Sequence, residues 1–149
     1  MSTKMKPPAL DAFGVPSEDE EQMAVVEWAR LQMGRWPELE WLYHIPNGGK
    51  RGKIEAARFK AMGVKAGVPD LCLPVPMGRY HGLYIEMKRR EGGKLSSDQR
   101  RWIEGLRANG YCVWRCDGAQ QAIAVLEAYL CRHMKEDETH VDHGHAAGT

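Results

Sequence analysis

At 149 residues and a net charge of +1, with 21 basic against 20 acidic side chains, the chain has the size of one domain, and bulk charge names no partner. Its 43% hydrophobic content suffices for one core, and no apolar run approaches the ~20 residues that a membrane-spanning helix needs. The opening stretch MSTKMKPPALDAFG has no apolar centre of the secretory type, so a cytoplasmic, reducing setting is expected.

Residues 1–16, with three prolines, read as a flexible arm. Ser17 followed by Glu20 has the form of a capping box. It opens a helix in which Gln22, Val25, Val26, Ala29 and Met33 are spaced to share one face. Gly34 and Pro37 end that helix, and LEWLYHIPNGG is expected as a strand stopped by Pro46 and the turn Asn47-Gly48-Gly49. KIEAARFKAMG reads as a short basic helix closed by Gly63. DLCLPV and LYIEMK are expected as two strands joined through MGRY and His81-Gly82. Ser96 or Ser97 caps a helix carrying Trp102, Ile103 and Leu106, which Gly110 stops. YCVWRC is a strand and GAQQAIAVLEAYLCRHM a last amphipathic helix. Residues 134–149, with their histidines, read as a disordered polar tail. This order of elements implies one mixed sheet covered by helices, an α/β or α+β layer.

Charge and cysteine usage refine the picture. Six Lys/Arg against one Glu fall between Lys50 and Lys65, and seven against four acids between Glu86 and Arg107. A neutral chain can therefore present one basic face to a polyanion. Cys72, Cys112, Cys116 and Cys131 form no CxxC pair, so buried reduced thiols are expected and a zinc site is not. The five tryptophans are expected in the core or an interface.

The chemistry concentrates in GVPDLCLPVPMGRYHGLYIEMKRR, from Gly67 to Arg90. Strand alternation points Leu83, Ile85 and Met87 one way and Tyr84, Glu86 and Lys88 the other. If DLCLPV pairs with this strand, Asp70 reaches the same spot, and two carboxylates meet one ammonium. Carboxylates so placed resist ionisation unless a cation lies between them. A hard divalent ion such as Mg²⁺ or Mn²⁺, held by one or two carboxylates, water and phosphate oxygens, resolves that conflict.

GVPDL, then fourteen residues, then EMK resembles the PD-(D/E)XK nuclease superfamily, with Pro69 and Asp70 as one element and Glu86, Met87 and Lys88 as the other. Together with Glu18 and Gln22, IPNGGKR, KAGVPDL, YIEMKR and GGKLSSDQ, the chain from about Ser17 to about Leu130 resembles a VRR-NUC domain, the virus-type replication-repair nuclease module, in the small stand-alone form typical of phages. The resemblance implies a nuclease domain over 17–133 with a restriction-endonuclease-like fold, a central mixed sheet flanked by helices, as in junction resolvases. It implies Mg²⁺- or Mn²⁺-dependent phosphodiester hydrolysis, with Asp70, Glu86, the Met87 carbonyl and a first-helix glutamate, Glu18 or Glu21, as metal ligands. Lys88 would act on the attacking water, and Gln22 would be a site residue. A homodimer acting on branched or junction DNA, for repair or recombination, follows from the same resemblance. Asn47, Lys50, Arg51, Lys53, Lys94, Arg100 and Arg101 are candidate DNA contacts, and Gln99 could bond either a nucleotide or a site carboxylate. Two other readings are a nuclease-fold DNA-binding module without turnover, and an exonuclease or restriction-like nuclease.

Overall fold

The computed structural model describes residues 14–47 and 52–131. The expected arm (1–16) up to residue 13, the polar tail (134–149), Lys50 and Arg51 lie outside the described residues. No described helix is long and apolar enough to cross a membrane.

The elements run α1 (Glu18–Leu31), a 3-10 turn (Pro37–Trp41), β1 (Tyr43–His44), α2 (Lys53–Ala61), β2 (Leu71–Leu73), β3 (Leu83–Lys88), α3 (Ser97–Ala108), β4 (Cys112–Asp117) and α4 (Ala119–Leu130). The sheet order is β1-β2-β3-β4, antiparallel at the first two pairings and parallel between β3 and β4, with α3 as the crossover. This is the mixed, helix-flanked α/β sheet expected. Both expected capping boxes form: Ser17 with Glu20 at α1, and Ser96, not Ser97, with Gln99 at α3. Each satisfies two backbone N–H donors that would otherwise be unpaired at a helix start.

The core lies on one face of the sheet. Leu71 and Leu73 of β2, Leu83, Ile85 and Met87 of β3, and Cys112 and Cys116 of β4 pack there against Val25 and Ala29 of α1 and Ala122, Leu126 and Tyr129 of α4. Burying these side chains is the main stabilising term, ~1.5–3 kcal/mol for each large one. The outer edge of β4 is closed by side chains: Arg107 donates to the Val113 carbonyl at 2.8 Å, and Gln121 accepts from the Asp117 amide at 2.8 Å. An edge so covered is a poor template for another strand.

Four local expectations need correction. The buried row of α1 is Glu21, Val25 and Ala29, whereas Val26 and Met33 are exposed and Gln22 is half-buried. The helix is rotated by about one residue because Glu21, a charged side chain, finds partners inside the fold. The stretch expected as one strand from Leu39 instead forms the 3-10 turn, with Pro37 at its first position and Leu39 buried, and only two residues of strand follow. Proline fixes φ at a value suited to a helical first turn. Trp41, expected in the core or an interface, is 59% exposed and so lies outside the core. Three of the four thiols are buried and all four are free, but Cys131, just past the end of α4, is exposed.

Candidate active site

β2 and β3 pair with Leu71 opposite Ile85 and Cys72 opposite Tyr84. Continuing this register places Asp70 opposite Glu86, and Pro69 opposite Met87. Proline has no N–H, so it cannot donate to the Met87 carbonyl across the ladder. The Met87 N–H is taken instead by the Asp70 side chain, donating to Oδ2 at 2.7 Å. N–H and C=O of one strand residue project to the same side, so the Met87 carbonyl also faces Asp70. The Pro-Asp dipeptide thus ends the ladder and puts a carboxylate and a carbonyl at the break.

Glu86 lies beside them and is 1% exposed. Its Oε1 accepts from Gln99 Nε2 at 2.7 Å and from Lys88 Nζ at 3.1 Å. Its Oε2 is buried without a hydrogen-bond partner. Gln99 cannot turn away, because its own Oε1 accepts from the Ser96 N–H at 2.8 Å to complete the cap of α3. Gln99 thus bonds the site carboxylate, one of its two expected partners. One glutamine serves the helix start with its oxygen and Glu86 with its nitrogen.

Lys88 is also buried. Gly93 backs onto it so closely that a Cβ there would come within 2.8 Å of the Lys88 Cβ, and Arg115 fixes the Gly93 carbonyl with a 2.7 Å bond. The loop glycine therefore closes over the lysine stem. On the other side, Lys88 Nζ stands 4.0 Å from Glu18 Oε2, whose side chain is 42% exposed.

The electrostatics follow from this crowding. Glu86 is pushed up to about 7, chiefly by burial and then by the Asp70 carboxylate, with Lys88 pulling the other way. Asp70 is raised by burial, which outweighs the Met87 N–H, Lys88 and His44. Glu18 is raised too, by burial first, against the attraction of Lys88. Three carboxyl groups thus hold protons more tightly than in water, and one buried oxygen has nothing to bond. Among the described residues, no three Asp, Glu, His or Cys side chains cluster tightly enough to cage an ion alone. Mg²⁺-type ions do not need such a cage; one or two carboxylates, with waters and phosphate oxygens, hold them. Glu86 carries an unpartnered, buried Oε2 and is repelled by the Asp70 carboxylate, a combination that fits a hard divalent cation.

The two first-helix glutamates differ. Glu21, 2% exposed, is bonded at both oxygens, by Arg90 Nε at 2.5 Å and by the Ala119 N–H at 2.6 Å. Glu18 faces Lys88 and solvent. Gln22 sits one turn after Glu18, half-buried. Among the expected DNA contacts, Asn47 donates to the Val68 carbonyl at 3.3 Å, beside the Pro-Asp break. Lys53, Lys94 and Arg100 are exposed, Lys53 at the start of α2, Lys94 before α3 and Arg100 in its first turn.

Two neighbours of the site escaped the sequence reading. His44 donates from Nδ1 to the Asp70 carbonyl at 2.7 Å, alongside the Ile45 N–H at 2.8 Å. Recognising that YHI pairs with DLC would have revealed it. Arg90, the partner of Glu21, lies just beyond EMK and carried no signal beyond its charge.

The family profile described as VRR-NUC domain matches residues 16–120. Among solved structures, a VRR_NUC domain protein superposes with a TM-score of 0.69 at 36% sequence identity, over 78% of this chain and 90% of that one. A search of curated proteins gives no match.

Proposed function

The chain belongs to the VRR-NUC family, and from that premise we propose that it is a Mg²⁺- or Mn²⁺-dependent endonuclease that hydrolyses phosphodiester bonds in branched DNA as a homodimer. The observation that carries the reading is Glu86, whose Oε2 is buried and unpartnered while its Oε1 faces Lys88, and which the Asp70 carboxylate repels. A carboxylate in that state is destabilised unless a cation arrives.

Asp70, Glu86 and the Met87 carbonyl would hold the ion, with Glu18 completing the set; Glu21 is committed to Arg90 and α4. A bound divalent ion supplies Lewis acidity at a phosphate oxygen and acidifies a water. The remaining work falls to the chain's own groups. Gln99 pins Glu86 Oε1 and so leaves Oε2 as the free donor. The Met87 N–H fixes the Asp70 carboxylate in the same way. Lys88 Nζ, held by Glu86 and stripped of most solvent, orients the attacking water and steadies the negative charge that develops on phosphorus-bound oxygens. Gln22, a turn from Glu18, reaches the substrate side. Two sites related by a dyad would cut both strands of a symmetric junction.

The test is a cleavage panel of four-way, splayed, flap and end-blocked linear DNA with Mg²⁺, Mn²⁺ or EDTA. Nicking of the branched substrates with either ion and none in EDTA is expected, and Asp70→Ala should abolish it while sparing DNA binding. Intact DNA in every lane with Mn²⁺ would sink the nuclease reading. Cutting only of free ends would replace it with an exonuclease.

A further inference from the structure

A groove between α2 and α3 holds two of the expected DNA contacts, Asn47 and Arg101, but none of the residues of the carboxylate cluster. It encloses about 750 Å³ and is lined by Phe59, Lys60 and Lys65 on one side and by Asn47, Asp98 and Arg101 on the other. Three cations face one carboxylate there. Among the described residues, no carboxylate comes within ion-pair reach of Lys60, Lys65 or Arg101.

The wall formed by α2 is unusual. None of its nine residues is buried, so core packing does not account for its position, and a helix this short is marginal on its own. Two ties fix the chain behind it. Gly67, at φ +89, approaches α3 so closely that a Cβ would come within 2.5 Å of the Asp98 carbonyl carbon. Asn47 Nδ2 bonds the next residue's carbonyl, that of Val68. Pro69 and Asp70 follow directly, and Asp98 precedes the Gln99 that holds Glu86. Both walls of the groove therefore run into the carboxylate cluster.

We propose that this groove carries the sugar–phosphate backbone of the substrate strand flanking the scissile bond, with Lys60, Lys65 and Arg101 contacting its phosphates. The proposal rests on the nuclease reading for its substrate class and adds the path that substrate takes. Contacts of this kind set register without reading base sequence, and they make affinity depend on salt.

The test measures binding of labelled branched DNA by fluorescence anisotropy, in EDTA and across a salt series. The variants are Lys65→Glu with Arg101→Glu, the same pair changed to Gln, and Arg30→Glu, a charge reversal at the far end of α1. The Glu pair is expected to raise Kd at least tenfold. Both pairs are expected to flatten the slope of log affinity against log salt by roughly 1.4–1.8, the loss of two phosphate contacts. Arg30→Glu should behave as wild type. A Glu pair that tracks Arg30→Glu overturns the groove. So does a pair that dissolves a wild-type dimer in sedimentation while leaving affinity and slope unchanged, because the groove is then a contact between copies. Binding is read without catalysis, so the two readings fail separately. A wild type that binds through the groove but cuts nothing sinks the nuclease; one that cuts, with binding unaltered in the pairs, sinks the groove alone.

Discussion

Glu18 and Glu21 lie less than one turn apart on α1, and they live in opposite electrostatic worlds. Glu21 is buried with every oxygen satisfied: Arg90 neutralises it, and the Ala119 N–H makes it the cap of α4, whose own N-cap residue, Gly118, has no side chain to offer. Glu18 is part-exposed, raised in pKa, and 4.0 Å from an ammonium already paired with Glu86. The same contrast runs through the whole end of the sheet. Around Glu21 the charges cancel; around Glu86 three acids crowd one lysine and a buried oxygen has no partner. The satisfied charge of Glu21 holds the fold together, and the unsatisfied set around Glu86 is the feature on which the proposed metal site rests. A carboxylate set that costs stability is an expected feature of a functional site.

The sharpest way to break the comparison is to exchange the fates of the two glutamates. Glu21→Ala leaves Arg90 and the start of α4 without their partner. Arg90 is 55% exposed and can turn to solvent, so the main loss is the acceptor for the buried Ala119 N–H, about 1–3 kcal/mol, which for a domain of this size lowers Tm by roughly 5 °C. Glu18→Ala should stay within about 0.5 kcal/mol of wild type, as surface changes do, while DNA cleavage falls. Thermal melts and nicking assays on the two proteins check this directly. Equal loss of stability in both variants would erase the distinction between anchor and site.

A second way reads the strain itself. Burial and Asp70 raise the Glu86 pKa in the fold from the ordinary glutamate value of 4.5 to about 7, so between these values the native state binds more protons than the unfolded chain. Stability is then fully present below about pH 4.5 and is lost as pH rises through 7. Asp70 and Glu18 shift the same way and add to the slope. In EDTA the melting temperature should decline from pH 5 to pH 8, by the equivalent of roughly 2–3 kcal/mol from Glu86 alone. Glu86→Gln should flatten that decline, and Mg²⁺ or Mn²⁺ should stabilise wild type more at pH 8 than at pH 5. A flat profile in EDTA would show that the cluster carries no conflict for an ion to relieve.

What the sequence revealed and concealed divides by distance along the chain. The capping boxes at Ser17 and Ser96 span three residues, and the alternation of LYIEMK is local, so both were readable. Asp70 and Glu86 were also within reach, because one hairpin joins their strands and fixes the register. The anchoring of Glu21 was not legible, since Arg90 lies 69 residues away and Ala119 98, and a glutamate in an apolar row looks like an error of phase. The missed 3-10 turn has another cause: Leu39, Trp41 and Tyr43 alternate like a strand, and the start that Pro37 imposes outweighs that pattern. The exposure of α2 was hidden because a sequence shows that a helix is basic, not that none of its residues is buried.

The smallest expected effect comes from Gln99, where anchor and site meet in one side chain. Its oxygen belongs to the cap of α3 and its nitrogen to Glu86. Gln99→Glu keeps an oxygen for the Ser96 N–H, so the helix start survives, but it replaces the donor to Glu86 with a fourth carboxylate. Gln99→Ala removes both bonds, for about 1 kcal/mol by the usual worth of a cap. If the role of Gln99 is only to begin a helix, Ala should be the more damaging change and Glu nearly silent in cleavage as well as in Tm. If it also aims Glu86, Glu should melt within about 1 kcal/mol of wild type yet cut more slowly, and its cleavage should need more Mg²⁺ or Mn²⁺ to reach half its maximum rate. The decisive quantity is therefore the metal dependence of cleavage by Gln99→Glu, since a cap alone has no means of changing it.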